Sequence, residues 1–447
     1  MSLLYSSPPQ FIVNDTNSST FYQPIHANST DPQSRVIGEL YQDIILDASG
    51  NNRVGTHQGF AFNFGNSSAL YNSNDILFFG NAGELNTIDT YILSGSGGFE
   101  KFSGGYMPEW KTLSDNPYIA EISLFESNVT NEDQTVLDEL TFRIASEGGS
   151  TPIVGEEGQI GQVFQNPVFQ SGEQIGFDQG YGFLFPDDPH ISTRVMGNRQ
   201  FFFDDGNQMT VLNTLVVEAS GPYAKFIGTY LNQTIISENP NFLADITLTA
   251  AVDADDEEQI ELYTPTEGTY DFKITSDGGY KALINNPEGV QIGERFQNPV
   301  YNNIGERVGT DQGYGFNFPT VEYTREVFQG NRIYYLNGGT LNLFNEIIAG
   351  ATGKYRAYKG GRFSAKILSY NPVFEAEMTL VLPASNEKHE SDQAKEESAE
   401  GSKDAGSSTN EDEIIEGEGD GKDKASSGGI FVLSPIIGLF LVFQCLE

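Results

Sequence analysis

Three blocks of sequence occur in the same order three times along the chain, and this triplication constrains the fold more than any other feature. Gly-Glu-Leu-Tyr-Gln-Asp-Ile-Ile (Gly38 to Ile45) recurs as Gly-Gln-Val-Phe-Gln-Asn-Pro-Val (Gly161 to Val168) and as Gly-Glu-Arg-Phe-Gln-Asn-Pro-Val (Gly293 to Val300). Gly-Thr-His-Gln-Gly (Gly55 to Gly59) returns as Gly-Phe-Asp-Gln-Gly (Gly176 to Gly180) and Gly-Thr-Asp-Gln-Gly (Gly309 to Gly313). Ser-Gly-Gly-Phe-Glu-Lys-Phe-Ser-Gly (Ser96 to Gly104) matches Ser-Gly-Pro-Tyr-Ala-Lys-Phe-Ile-Gly (Ser220 to Gly228) and Thr-Gly-Lys-Tyr-Arg-Ala-Tyr-Lys-Gly (Thr352 to Gly360). Offsets of 121 and 133 residues between the second blocks are domain-sized, too long for a solenoid repeat.

Within each copy the apolar period is two. Phe60, Phe62 and Phe64 share one face of a strand, as do Tyr181, Phe183 and Phe185, and Tyr314, Phe316 and Phe318. The residues between them are small or polar (Ala61, Gly182, Gly315, Asn63, Asn317), as in a strand with one packed and one relieved face. Abundant Gly (49 residues) and 12% aromatics suit short strands and tight turns. About 90 residues per copy hold seven or eight strands of usual length, and an antiparallel barrel closes its own edges without helices. The expected fold is therefore all-β, with three tandem eight-stranded antiparallel β-barrels. Their expected bounds are 34–126, 159–250 and 291–383. An N-terminal segment (1–33) and linkers carrying a strand (127–158 and 251–290) surround them.

After residue 383 the composition turns to Glu, Lys, Ser, Gly and Asp, reading as a disordered acidic tether over 384–429. Residues 430–446 are apolar, broken by Pro435 and without a basic flank. Small residues at Gly419 to Gly421 and a polar spacer precede them, the pattern of a glycolipid-anchor signal, with a single membrane-spanning segment as the alternative. Either places the barrels outside a membrane, at the cell surface or in the extracellular space. Met1 to Gln10 carries no visible signal peptide, which points to a truncated or misassigned start. Six N-x-Ser/Thr sequons, at Asn14, Asn17, Asn28, Asn66, Asn128 and Asn232, are candidate glycosylation sites.

The formal charge of −38 leaves about −28 on the body once the tether and Glu447 are set aside, which argues against nucleic acid as a partner. The single cysteine, Cys445, excludes an intramolecular disulfide and a zinc-thiolate site. The four histidines, His26, His57, His190 and His389, are dispersed and no nucleophile elbow is present, so no hydrolase, metal or cofactor is indicated. The acidic run Asp253 to Glu258 lacks the spacing of a calcium loop and reads as a solvated connection.

The third copy carries a family likeness. Gly-Thr-Asp-Gln-Gly-Tyr (Gly309 to Tyr314), Asn-Gly-Gly-Thr-Leu (Asn337 to Leu341) and the block from Gly350 to Gly360 resemble signatures of plant dirigent proteins. The last block is also similar to the Gly-Gly-Ser-Gly-Phe-Glu-Gly-Ala run of allene oxide cyclases. The resemblance extends over nearly all of Arg35 to Leu382 and implies the eight-stranded barrel of those families. It also implies an apolar cavity in which phenoxy radicals are guided to couple or an unsaturated fatty-acid epoxide is cyclised. On that resemblance Asp43, Glu346 and Arg356 are the candidate catalytic residues. Tyr41-Gln42-Asp43-Ile44 is similar to a dirigent first-strand motif with Gln42 in place of His. The family's Arg-Glu-Met-Pro segment survives as Asn345-Glu346-Ile347-Ile348, and Arg356 matches a Gly-x-Phe-Arg block. Asn166 and Asn298 replace Asp43 in the later copies, and Glu100 and Ala224 replace Arg356 in the earlier ones.

His57, Asp178 and Asp311 occupy one repeat position, beside Gln58, Gln179 and Gln312. They form a candidate ligand-binding set at a barrel mouth, although the favoured reading is a turn in which each side chain bonds local backbone amides. The glycines Gly97, Gly221 and Gly353 fit positive-φ turns and lack the spacing of a phosphate loop. The sequence thus favours a non-catalytic binding or structural protein of dirigent-like fold. Its expected partners are an apolar or phenolic small molecule or a wall polysaccharide, and a membrane through the C-terminal tail. The alternative is a dirigent-type or cyclase-like isomerase.

Overall fold

The computed structural model describes residues 10–383, apart from 15–20, 65–70, 127–138, 238–242, 250–268 and shorter stretches. Residues 1–9 and 384–447, with the tether, the apolar tail and His389, lie outside the described residues, as do Asn17, Asn66, Asn128, His190 and the acidic run near Asp253. Met1–Leu382 forms one compact unit, distinct from Pro383–Glu447.

The unit is all-β, built of three curled antiparallel sheets with the same internal order. Each copy has a long strand (Val36–Asp47, Gly158–Gln170, Gln291–Tyr301) pairing with the aromatic strand (Arg53–Asn63, Glu173–Leu184, Arg307–Asn317). A third strand follows (Tyr71–Phe78, Asn198–Phe203, Phe328–Leu336), then a hairpin (Glu84–Ile88 with Tyr91–Gly95, Gln208–Leu212 with Leu215–Ala219, Gly339–Phe344 with Ile347–Ala351). A 3-10 turn (Gly97–Phe102, Gly221–Phe226, Gly353–Tyr358) leads into a closing hairpin, whose last strand pairs with a leading strand (Gln10–Asn14, Glu139–Ala145, Thr269–Thr275). In all three sheets the leading strand also pairs with the long strand, and in the third the strand Ile347–Ala351 meets Arg362–Ser369 at Ile347 and Arg362, so the ladder returns to its start.

The free edge of each long strand is shared by two short partners. One half pairs with the leading strand, the other with Phe21–His26, Ser150–Gly155 or Tyr280–Asn285. The segments expected to be an N-terminal extension and linkers therefore belong to the sheets that follow them. They supply backbone donors and acceptors to an edge that would otherwise stand unpaired. Register shifts recur at the same place in all three long strands, at Ile45/Leu46, Val168/Phe169 and Val300/Tyr301, and such bulges bend a ladder.

Both faces of the aromatic strand are buried. Positions 57, 59 and 61 and their equivalents face the interior of their own sheet. Each interior holds its own apolar cluster, around Leu77 and Phe102 in the first, Phe201 and Phe226 in the second, and Tyr334 and Phe363 in the third. The aromatic rows face the other way, into a cluster shared by all three sheets. Phe62 stacks on Tyr181 with ring centroids 4.2 Å apart, Phe183 meets Tyr314 at 4.6 Å, and Phe316 meets Phe60 at 4.7 Å. The second ring of each copy thus contacts the first ring of the next, cyclically, giving the unit an approximate threefold axis. Aromatic pairs of this kind add about 0.5–1.5 kcal/mol beyond area burial.

A polar layer crosses the same axis. Asn74, Asn198 and Asn331, one from each sheet and nearly inaccessible, are linked by Asn74 Nδ2 donating to Asn331 Oδ1 and Asn331 Nδ2 to Asn198 Oδ1, both at 3.0 Å. Tyr314 donates its hydroxyl to Tyr181 at 3.1 Å and accepts from Asn331 at 2.6 Å. The segments after the second and third aromatic strands reach the next sheet. Asp188 of the second copy pairs with Arg307 of the third at 2.8 Å, and Glu322 of the third pairs with Arg53 of the first at 3.3 Å. Such polar contacts fix which sheet lies beside which, because any slip leaves buried groups unbonded.

Candidate functional site

His57, Asp178 and Asp311 are not turn residues. They lie inside the aromatic strands, directly across from Asp43, Asn166 and Asn298 on the long strand, and are 2%, 0% and 0% exposed. Alternation turns them to the sheet interior, where backbone amides are already used in the ladder and only side chains can satisfy them.

The partners that do so exchange charge between copies. In the first, His57 Nε2 stands 3.0 Å from Asp75 Oδ1 and Nδ1 stands 3.4 Å from Asp43 Oδ2. The Tyr41 hydroxyl donates to Asp75 at 2.5 Å, and the Ser73 hydroxyl donates to its other oxygen at 2.6 Å. In the second copy Arg199 takes the place of Asp75 and grips Asp178 through Nε at 3.0 Å and Nη2 at 2.6 Å. In the third, Arg332 Nε lies 3.3 Å from Asp311. Asp75, Arg199 and Arg332 are equivalent, each following the axial asparagine. The base and acid have therefore changed strands while the pair has been kept.

The neighbouring positions follow the exchange. Phe164 and Phe201 bracket the Arg199 guanidinium at 5.3 and 5.2 Å, and Phe296 and Tyr334 bracket Arg332 at 4.7 and 5.6 Å. An aromatic face suits a guanidinium. Where the partner is the Asp75 carboxylate, the ring at the first position is Tyr41, whose hydroxyl supplies a donor. Beside a cation the long strand carries Asp43, whereas beside a carboxylate it carries the amides Asn166 and Asn298.

This geometry also explains the glycine of the Gln-Gly step. A side chain at Gly59 would strike Asp75 and come within 2.9 Å of the Tyr41 ring. At Gly180 it would lie 2.8 Å from Arg199 Cβ, and at Gly313 2.6 Å from Phe296 and 2.8 Å from Arg332 Cβ. The pair crosses the aromatic strand at that residue, and only a missing Cβ admits it.

Electrostatics follow from the burial. Burial opposes the charged imidazole of His57, yet the Asp43 and Asp75 carboxylates outweigh it and raise its pKa to about 9. Burial raises Asp178, against the pull of Arg199 and the Asn166 amide, and raises Asp311 to about 6 against Arg332 and Asn298. Burial also carries the Tyr41 phenol well above its usual range, with the Asp75 carboxylate adding to the effect. The Asp43 side chain is 16% exposed, while those of His57 and Asp75 are 3% and 4% exposed.

Gln58, Gln179 and Gln312 are buried but point away from these quartets, into the junction between sheets. Gln42 Nε2 donates to Gln58 Oε1 at 2.7 Å and to the Pro319 carbonyl of the third copy at 2.9 Å, and Gln58 Nε2 donates to Gln329 at 3.2 Å. Neighbouring strand positions face opposite sides, so each Gln and its adjacent acid or His do not form one set. Glu346 sits in the hairpin turn of the third sheet and Arg356 is exposed in the following 3-10 turn, whereas Asp43 faces the interior of the first. The three residues are not brought to one place. Of the sequons in view, Asn232 begins the exposed strand Asn232–Ser237, and Asn28 Oδ1 accepts from Thr30 at 2.8 Å.

Tyr41, Asp75, Arg199 and Arg332 were not singled out from sequence. Their signal is present in Asn74-Asp75-Ile76, Asn198-Arg199-Gln200 and Asn331-Arg332-Ile333, where the sign after a repeated Asn reverses in step with His57, Asp178 and Asp311. No protein-family model, curated protein or solved structure matches the chain. Among the described residues no group of His, Cys, Asp and Glu is arranged to hold a metal ion, and no helix is long and apolar enough to cross a membrane.

Proposed function

We propose that the chain is a dirigent-like protein of three eight-stranded barrels that serves as a non-catalytic binding or structural protein. The observation that carries this reading is the charge exchange within the quartets. Between copies the chemistry at the interior polar positions has been rewritten from His between carboxylates to Asp beneath Arg, while burial and pairing are kept. Conserved packing with interchangeable acid and base is what a structural pair requires. A general acid or base would have to keep its identity and reach a substrate. The interiors are occupied by their own apolar clusters, which supports the same reading.

In this reading the acidic tether and apolar tail hold the barrels at the cell surface, and sequons such as Asn232 are glycosylated. Three linked barrels raise avidity for a repetitive target such as wall polysaccharide. The deciding experiment oxidises a monolignol-type phenol with a one-electron oxidant in the presence of the full chain. The dimers are expected to remain racemic, as without protein. An enantiomeric excess would overturn the reading.

One observation favours a second reading, a cyclase- or dirigent-like catalyst centred on the first barrel. Asp43 is solvent-reached and bonded to His57, so it is the carboxylate best placed to meet a ligand. Under that reading Asp43→Asn abolishes whatever stereochemical bias the assay finds.

A further inference from the structure

At one end of the threefold axis the three hairpins leave a pocket of about 450 Å³ that belongs to no single sheet. Its walls are equivalent residues of the three copies. Leu93, Val217 and Ala349 come from the second hairpin strands, and Ser103, Ile227 and Lys359 from the turns after the 3-10 segments. The site exists only because the copies are joined cyclically. Leu215 and Val217 of its wall belong to an apolar cluster that also holds Ile88 of the first copy and Phe344 of the third, with Leu93 and Ala349 packed against it.

The copies differ at the rim. Where the first has Ser103 and the second Ile227, the third has Lys359, whose Nζ crosses to the second copy and lies 3.0 Å from where a Cβ on Gly228 would stand. Lys359 is exposed and makes no ion pair among the described residues. Arg362 also lines the pocket and is tied to Glu84 of the first copy at 2.7 Å. Among the described residues no carboxylate lines the pocket, in a chain of formal charge −38. Glu218, next to Val217, is engaged elsewhere, accepting from Thr210 Oγ1 at 2.8 Å and Gln208 Nε2 at 3.2 Å. A cleft of this size, with apolar side chains on part of its wall and at its rim a cation that makes no ion pair among the described residues, suits an apolar body carrying a single negative charge.

We propose that this axial pocket binds a small amphipathic anion, with the apolar body against Leu93, Val217 and Ala349 and the anionic head at Lys359. The inference stands whether or not any sheet interior is catalytic, because the pocket lies outside all three.

The test uses two dyes of nearly equal shape, 8-anilinonaphthalene-1-sulfonate and its uncharged counterpart N-phenyl-1-naphthylamine, titrated into the full chain at low salt. The sulfonate should bind saturably with one site per chain and more tightly than the neutral dye. Lys359→Glu, at an exposed position, should weaken the sulfonate at least about tenfold and leave the neutral dye within about twofold. Ala349→Trp should remove both, with the urea-unfolding midpoint unchanged. The proposal is overturned if Lys359→Glu leaves sulfonate affinity unchanged, if it weakens both dyes equally, or if wild-type binding shows no saturable single site.

Discussion

The exchange of charge between copies can be tested by moving the first copy's chemistry into the second. Arg199→Asp removes the guanidinium that holds Asp178, a carboxylate with no exposed surface, and sets a second carboxylate beside it. Breaking a buried pair by removing one partner costs about 3–5 kcal/mol, and repulsion between the carboxylates adds to it. Asp178→His in the same chain recreates the arrangement of His57 and Asp75, and Phe164→Tyr with Asn166→Asp completes the quartet. Urea unfolding of the full chain, followed by far-ultraviolet circular dichroism, gives the stabilities. Arg199→Asp should lower the midpoint sharply, and the added Asp178→His should recover more than half of the loss. The double-mutant cycle should yield a coupling of at least about 2 kcal/mol. If the double variant is no more stable than Arg199→Asp alone, the pair is not an interchangeable unit.

Further outcomes follow from the same geometry. His57 titrates at about 9 when folded against 6.5 when unfolded, so its stabilisation is complete below pH 6.5 and is lost as pH rises through 9. The difference is about 3 kcal/mol, and denaturation at pH 6 and pH 9.5 should show the loss in wild type and not in His57→Gln. Gly59→Ala should destabilise by about 1–3 kcal/mol, since the added methyl meets Asp75 and Tyr41. A calorimetric scan showing no change would remove the explanation for the repeated Gln-Gly. Asn331→Leu leaves Asn74 without its acceptor and Asn198 without its donor. A loss of about 2–4 kcal/mol in urea titration is expected, whereas a neutral result would mean that the axial polar layer is not coupled. Phe62→Ala, which unstacks Tyr181 across the junction, should cost about 3–5 kcal/mol by the same measurement.

Much of the candidate site was written in the sequence but could not be read there. The position shared by His57, Asp178 and Asp311 was visible, yet their partners lie one strand away, 18 residues on in the first copy and 21 in the others. Connection length shifts that offset without altering the register, so pattern alone does not pair them. The turn expected at these residues was suggested by flanking glycines. The structure assigns the Gln-Gly glycine to room for a crossing side-chain pair within a strand. Asp43 and His57 come together because their strands are adjacent, while Glu346 and Arg356 stay in another sheet.

By itself the sequence determined the all-β class, the threefold repetition and the shared face of each aromatic row, because a period of two is a local property of extended chain. It did not determine which way that face turns. A strand buried on both sides looks the same whether its rings fill its own sheet or meet rings from elsewhere. That was decided by contacts between segments more than 100 residues apart, where Phe62, Phe183 and Phe316 find Tyr181, Tyr314 and Phe60. The axial pocket arises from the same association, since each copy supplies only a third of its wall.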